Sequence, residues 1–280
     1  MTKEELAAVL RTPVFAAGEL TERLIVEKQG PVGWLVFNNP ARRNAISVDM
    51  WEAIPPALDR FEADPEIRAI VLTGAGDKAF VSGADVSQFD QERSDAAGVQ
   101  RYEEIAEGAQ LRLQACERPV LAMIRGFCLG GGLNIALTCD LRIAADDARF
   151  GVPAARLGLA YRASSTKNLV DTIGPAHARE VLLTGRQFDA AEAATMGLVN
   201  RVVPAATLRE TVLDYCAMFA DNAPLTMRAA KRIIRELLKS HAGFDAAACR
   251  GYVQECFESA DYAEGRRAFQ EKRRPNFSGK

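Results

Sequence analysis

Three short runs with almost no polar side chains, Arg68 to Thr73, Val120 to Ile124 and Leu141 to Ala144, constrain the fold of this chain more than any other feature. A strand wetted on one face alternates apolar and polar residues, whereas a run without that alternation is buried on both. Helical patterns intervene. Tyr102, Ile105, Ala106, Ala109 and Leu113 fall on one face before the second run, and a short helix opened by glycines precedes the third. Strand, helix and strand joined by short connections predict stacked parallel units of α/β type with helices outside. A chain of 280 residues is at the upper end of what one core serves, so one large unit with a smaller appendage is expected.

The flanking segments carry weaker signals. Gln29-Gly30-Pro31 separates the β-like runs Leu24 to Glu27 and Trp34 to Phe37, which predicts a hairpin. Ser47 is a good N-cap for a helix with Met50, Trp51, Ile54, Leu58 and Phe61 at helical spacing, and Pro55-Pro56 inside it should kink it. The first twenty residues carry a weak helical pattern without partners. From about Leu208 only helices are expected, beginning around Thr207, Pro224, Phe244 and Asp261, with stripes such as Ile233, Ile234, Leu237 and Leu238 to cover the main body or a neighbouring subunit. The expected division is a core over 1–206, with 1–20 as an N-terminal extension, and a helical region over 207–280.

Composition narrows the function classes. Thirty-five basic against 37 acidic side chains leave a formal charge of −2, so no net field draws the chain to nucleic acid or anionic lipid. No run approaches the eighteen or so apolar residues of a membrane span, and the N-terminus with Lys3, Glu4 and Glu5 lacks a signal-peptide pattern, so a cytoplasmic location without membrane contact is expected. Six cysteines without C-x-x-C spacing read as reduced core thiols. The two histidines, His177 and His241, both expected at the surface, leave little for a histidine-based triad or metal site. Neither G-x-G-x-x-G nor G-x-x-x-x-G-K-[ST] occurs, so no nucleotide redox cofactor and no metal are expected.

Two glycine-containing segments stand out: Ala79-Phe80-Val81-Ser82-Gly83-Ala84-Asp85-Val86, after the first apolar run, and Gly126-Phe127-Cys128-Leu129-Gly130-Gly131-Gly132-Leu133-Asn134, between a strand and a helix. The second places the Gly131 N–H at a helix N-terminus, where unpaired donors and the dipole favour negative charge. If Ala84 offers a second N–H, the two donors converge on one carbonyl oxygen as an oxyanion hole. Glycines at such a corner also serve tight packing alone, and neither segment is specific by itself. Asp85 and Asp140 adjoin strand and helix ends and are read as caps or structural partners.

In this order the two segments, with Phe37-Asn38-Asn39-Pro40, Asn44-Ala45, Ile70 to Gly74, Cys139-Asp140, Phe150-Gly151, Leu157-Gly158-Leu159, Gly197-Leu198-Val199-Asn200 and the tail Glu271 to Phe277, resemble the crotonase (enoyl-CoA hydratase/isomerase) superfamily from about Leu24 to Phe277. The resemblance implies an α/β spiral of ββα repeats, a C-terminal helical region that assembles homotrimers or hexamers, and acyl-CoA thioesters as substrates. The only cofactor it implies is the coenzyme A of the substrate. It places the oxyanion donors at the Ala84 and Gly131 amides. Its coenzyme A site falls on Arg42 and Arg43, on the peptides of Ser82, Gly83 and Ala84 with Asp85, Val86 and Gly130 beside them, and on Phe269 and Lys272, which reach a neighbour's site.

Hydratases of the family carry a glutamate two positions after the glycine run and another after the Phe-Gly-x-Pro segment. Here those positions are Asn134 and Ala154. Neither exchanges a proton near neutral pH, and each missing acid-base group forfeits on the order of 10²- to 10⁴-fold. Where the family's isomerases place a carboxylate after Leu-Gly-Leu, this chain has Arg162. The resemblance therefore leaves several chemistries open: a poor hydratase that stabilises a thioester enolate, a decarboxylase of malonyl-type thioesters with Tyr161 and Arg162 handling the carboxylate, and an acid-base enzyme using Asp90, Glu92, Asp95, Glu103, Glu104 or Glu107. A non-catalytic acyl-CoA-binding protein is the remaining alternative.

Overall fold

A computed structural model describes residues 2–85, 96–239 and 243–280. Val86, Asp90, Glu92, Asp95 and His241 lie outside the described residues.

The elements run in the expected order. Helix α1 (Lys3–Ala8) and strand β1 (Thr12–Pro13) precede the hairpin β2 (Leu24–Gln29) and β3 (Val32–Phe37). Helix α2 (Val48–Ala63), strands β4 (Ala69–Gly74) and β5 (Ala79–Val81) and helix α3 (Ala96–Ala115) follow. Next come β6 (Val120–Ile124), β7 (Phe127–Leu129), α4 (Gly131–Thr138), β8 (Leu141–Ala145) and β9 (Arg149–Gly151). Helix α5 (Ala163–Thr184), β10 (Phe188–Asp189), α6 (Ala190–Thr195) and β11 (Arg201–Val203) lead into α7 (Leu208–Asp221), α8 (Pro224–Leu237), α9 (Ala246–Phe257) and α10 (Ala260–Gln270).

The strands form two sheets. The larger has the order β1-β2-β3-β4-β6-β8-β11, antiparallel across β1, β2 and β3 and parallel from β3 onward. The smaller has the order β10-β9-β7-β5, with β5, β7 and β9 parallel. Alternate residues of one strand enter different cores. Leu35, Phe37, Ile70 and Leu72 join the core containing α2, α3 and the small sheet; Trp34, Val36, Ala69 and Val71 join one closed by α1 and α7. Burial on both faces is why these strands read as unbroken apolar runs.

Helix α2 continues from Val48 to Ala63 through Pro55 and Pro56. Its apolar face, including Trp51, Ile54, Leu58 and Phe61, is fully buried, and that packing outweighs the backbone bonds lost at the prolines. The N-terminal segment does have partners: Leu6 is fully buried in the second core, and the Gln29 side-chain amide donates to the Leu6 and Val9 carbonyls. His177 is half-buried rather than exposed.

Helix α8 and the C-terminal tail reach the amino ends of the parallel strands. Lys231 donates to the Arg118 carbonyl and to Asp140 at 2.6 Å each, Asp140 accepts from the Val120 N–H, and Arg68 donates to the Phe277 carbonyl. Asp140 is thus a structural partner, as its position suggested. No helix among the described residues is long and apolar enough to cross a membrane.

Candidate functional site

The two glycine-bearing segments leave adjacent parallel strands of the small sheet. Val81 of β5 is in register with Cys128 of β7, and Ala84 and Gly131 each lie three residues beyond that pair. The chain past β5 is tied to the loop of Arg42 to Ile46. Ser82 N–H donates to the Arg43 carbonyl, Ile46 N–H to the Gly83 carbonyl and Asp85 N–H to the Ile46 carbonyl. Asn44, with no exposed surface and φ of 55°, anchors that loop: its amide nitrogen donates to the Ala75 and Ala79 carbonyls and its oxygen accepts from Asn39 N–H.

The turn into α4 is packed as tightly. Gly130 adopts φ 52° and ψ −116°, a conformation that suits glycine, and its N–H donates to the Gly151 carbonyl at 2.8 Å. Gly131 begins the helix, so its N–H has no partner within it. A β-carbon on Gly131 would lie 4.0 Å from the Ala84 nitrogen and 3.9 Å from the Ile46 and Trp51 side chains, so the Ala84 backbone and two apolar side chains border the start of α4. Among the described residues the Ala84 N–H donates to nothing.

Other predicted residues distribute around this centre. Tyr161 donates its hydroxyl to the Gly130 carbonyl at 3.3 Å and so braces the turn. Burial pushes its phenol well above the ordinary value, so it stays protonated at neutral pH. Arg162 is the N-cap residue of α5, and its guanidinium is held by Glu103 of α3 at 2.8 Å. Asn134 is buried on α4, and Ala154 lies in a short 3-10 helix over 153–157 packed against the main core. Arg42 pairs with the buried Asp85 at 2.8 Å, and the Arg43 guanidinium lies over the Phe127 ring. Phe269 is 86% exposed on α10 and Lys272 follows the end of that helix, where its N–H donates to the Phe269 carbonyl.

Gln110 and Ser165 escaped the sequence reading. Asn134 donates to Gln110 at 2.6 Å and to the Ser165 hydroxyl at 2.7 Å. A signal was present, since Gln110 interrupts the apolar stripe of Ala106, Ala109 and Leu113, and a lone polar residue at a core position is informative.

The sequence model of the family described as enoyl-CoA hydratase/isomerase matches residues 27–280. The short-chain-enoyl-CoA hydratase of Clostridium acetobutylicum is 34% identical over 251 residues, covering 90% of this chain and 95% of that protein. The crotonyl-CoA hydratase of Syntrophomonas wolfei is 34% identical over 259 residues, covering 92% and 99%. Among solved structures, an enoyl-CoA hydratase from Bacillus anthracis superposes with a TM-score of 0.87 at 30% identity, covering 92% of this chain and all of that one.

Proposed function

Because the chain belongs to the enoyl-CoA hydratase/isomerase family and acts on acyl-CoA, we propose that it stabilises a thioester enolate between the Ala84 and Gly131 amides and hydrates enoyl thioesters poorly. The observation that carries this reading is the approach of the Ala84 backbone to Gly131 at the start of α4. As the acyl carbonyl oxygen gains charge, both N–H groups and the dipole of α4 stabilise it in a site where the Trp51 and Ile46 side chains exclude water. Asn134 and Ala154 stand where hydratases of the family carry their two glutamates, so proton transfer to and from carbon lacks its usual agents.

Coenzyme A is assigned to the Arg42 and Arg43 loop and the peptides of 82–86 and Gly130, with Phe269 and Lys272 supplied by a neighbouring copy. The region 1–206 carries the acyl thioester, and 207–280 assembles a homotrimer or hexamer. The exposed apolar residues Leu237, Phe257 and Phe269 on the last three helices support that assembly.

A second reading, decarboxylation of a malonyl-type thioester, draws support from Tyr161. Its protonated hydroxyl lies at the glycine turn, and loss of CO₂ leaves an enolate without any base. Arg162 takes part in that reaction only by leaving Glu103.

The test is incubation with crotonyl-, methylmalonyl- and 3-hydroxybutyryl-CoA followed by mass spectrometry. Slow or absent hydration of crotonyl-CoA is expected. Rapid hydration that survives replacement of every nearby acid overturns the proposal, whereas CO₂ release lost in Tyr161→Phe selects the decarboxylase. Tight binding with no product from any ester would leave a binding protein.

A further inference from the structure

The residue after Ala84 works against the chemistry assigned to that amide. Asp85 is a carboxylate at 8% exposure, and its N–H is spent on the Ile46 carbonyl. Covalent geometry keeps its carboxylate oxygens within about 9 Å of the Ala84 nitrogen in any rotamer. A negative charge there disfavours an oxygen that gains charge on that nitrogen by on the order of tenfold, at an effective dielectric of about 20.

Arg42 answers that charge. Its Nη1 lies 2.8 Å from Asp85 Oδ1, and the arginine side chain is half exposed whereas the carboxylate is buried. The main chain sets the pairing. Arg42 ends a 3-10 turn (Pro40–Arg42), after which the chain turns back through Arg43 and Asn44 at φ 52° and 55°. Ser82 is tied to both arginines, its N–H donating to the Arg43 carbonyl at 3.2 Å and its hydroxyl to the Arg42 carbonyl at 3.4 Å. The guanidinium is thereby delivered to the segment that carries the Ala84 amide.

A site built only for the phosphates of coenzyme A gains nothing from a carboxylate on its arginine, because the acid competes with the phosphate for the same cation. The thioester oxygen is uncharged until the enolate forms. The Asp85 charge therefore weighs little on binding of the ester and heavily on the step that creates charge, and a buried carboxylate stripped of its partner stays uncompensated. Resting on the enolate reading above, we infer that Arg42 is a positioning residue for that step: it cancels the Asp85 charge beside the Ala84 amide, in addition to its hold on coenzyme A.

Acetoacetyl-CoA tests this without requiring turnover. The bound ester loses a proton to solvent from the carbon between its two carbonyls, leaving an enolate whose charge reaches the thioester oxygen and whose ultraviolet band reports the ionised fraction. At fixed pH with protein in excess, Arg42→Gln is expected to lower the ratio of enolate to neutral ester about tenfold. Arg42→Lys, which keeps the charge, should hold that ratio within about threefold of the unmodified protein. Adding Asp85→Asn to Arg42→Gln should recover most of the tenfold, the coupling expected of two residues that act as a pair. No fall in Arg42→Gln overturns the inference, as does a fall that Asp85→Asn leaves in place, which would mean that Arg42 acts on the ester directly. If the double variant does not fold, the single ones decide: a fall confined to Arg42→Gln supports the inference and an equal fall in Arg42→Lys overturns it. Failure of the unmodified protein to bind acetoacetyl-CoA, or ionisation of the bound ester no easier than in water, overturns the enolate reading itself.

Discussion

A β-carbon on Gly132 would lie 2.1 Å from the Val81 carbonyl oxygen, inside any allowed contact, whereas one on Gly131 meets nothing nearer than 3.9 Å. The same substitution at these neighbours should therefore separate folding from chemistry. Gly132→Ala is expected to lower stability by about 1–3 kcal/mol or more in urea unfolding, because backbone must move to admit the methyl. Gly131→Ala should unfold near the midpoint of the unmodified protein. Its methyl approaches the Ala84 nitrogen, and turnover of whichever ester is the substrate should fall by about 10²- to 10³-fold, as when an oxyanion donor is removed. Full activity in Gly131→Ala would refute the assignment. At this scale the glycine turn was legible because its chemistry is local. The pairing of Arg162 with Glu103 and the joining of Gln110 to Asn134 were not, since each links residues far apart in sequence through the packing of α3.

Among the elements, α2 departs most from its sequence signals. An interior proline removes a backbone donor, crowds the preceding turn and costs about 3 kcal/mol. Pro56 is exposed, so nothing it touches in the core compensates. Pro56→Ala should raise the thermal midpoint by several degrees, the direction expected when a helix breaker is removed from a surface position. A lowered midpoint would show that the proline serves a packing role. The parallel strands, by contrast, followed directly from their unbroken apolar runs. The two-sheet arrangement did not: β5, β7 and β9 are three residues each, too short to distinguish from the loops that join them.

Across the whole molecule the cysteines report how much of the chain is sealed. Cys116, Cys128, Cys139 and Cys216 are buried, while Cys249 and Cys256 on α9 are partly accessible. Burial pushes the Cys116, Cys139 and Cys216 thiols up to about 12 and raises Cys128 well above its ordinary value. With a folded value of about 12, only about one such thiol in 10⁴ is ionised at pH 8, and the thiolate is the reactive form. A disulfide reagent at pH 8 should therefore modify at most two thiols rapidly in the native protein and all six in denaturant. Rapid modification of three or more would contradict the packing of the cores.

The matched positions of Ala84 and Gly131, three residues past a register pair, have a further consequence. Neighbouring strands lie about 4.8 Å apart whatever side chains they bear. The approach of Ala84 to Gly131 thus starts from a main-chain ladder at Val81 and Cys128 and is carried beyond it by main-chain bonds to the Arg42 to Ile46 loop. Divergence of reaction within such a scaffold can proceed by replacing everything that surrounds this approach while the ruler that measures it stays the same.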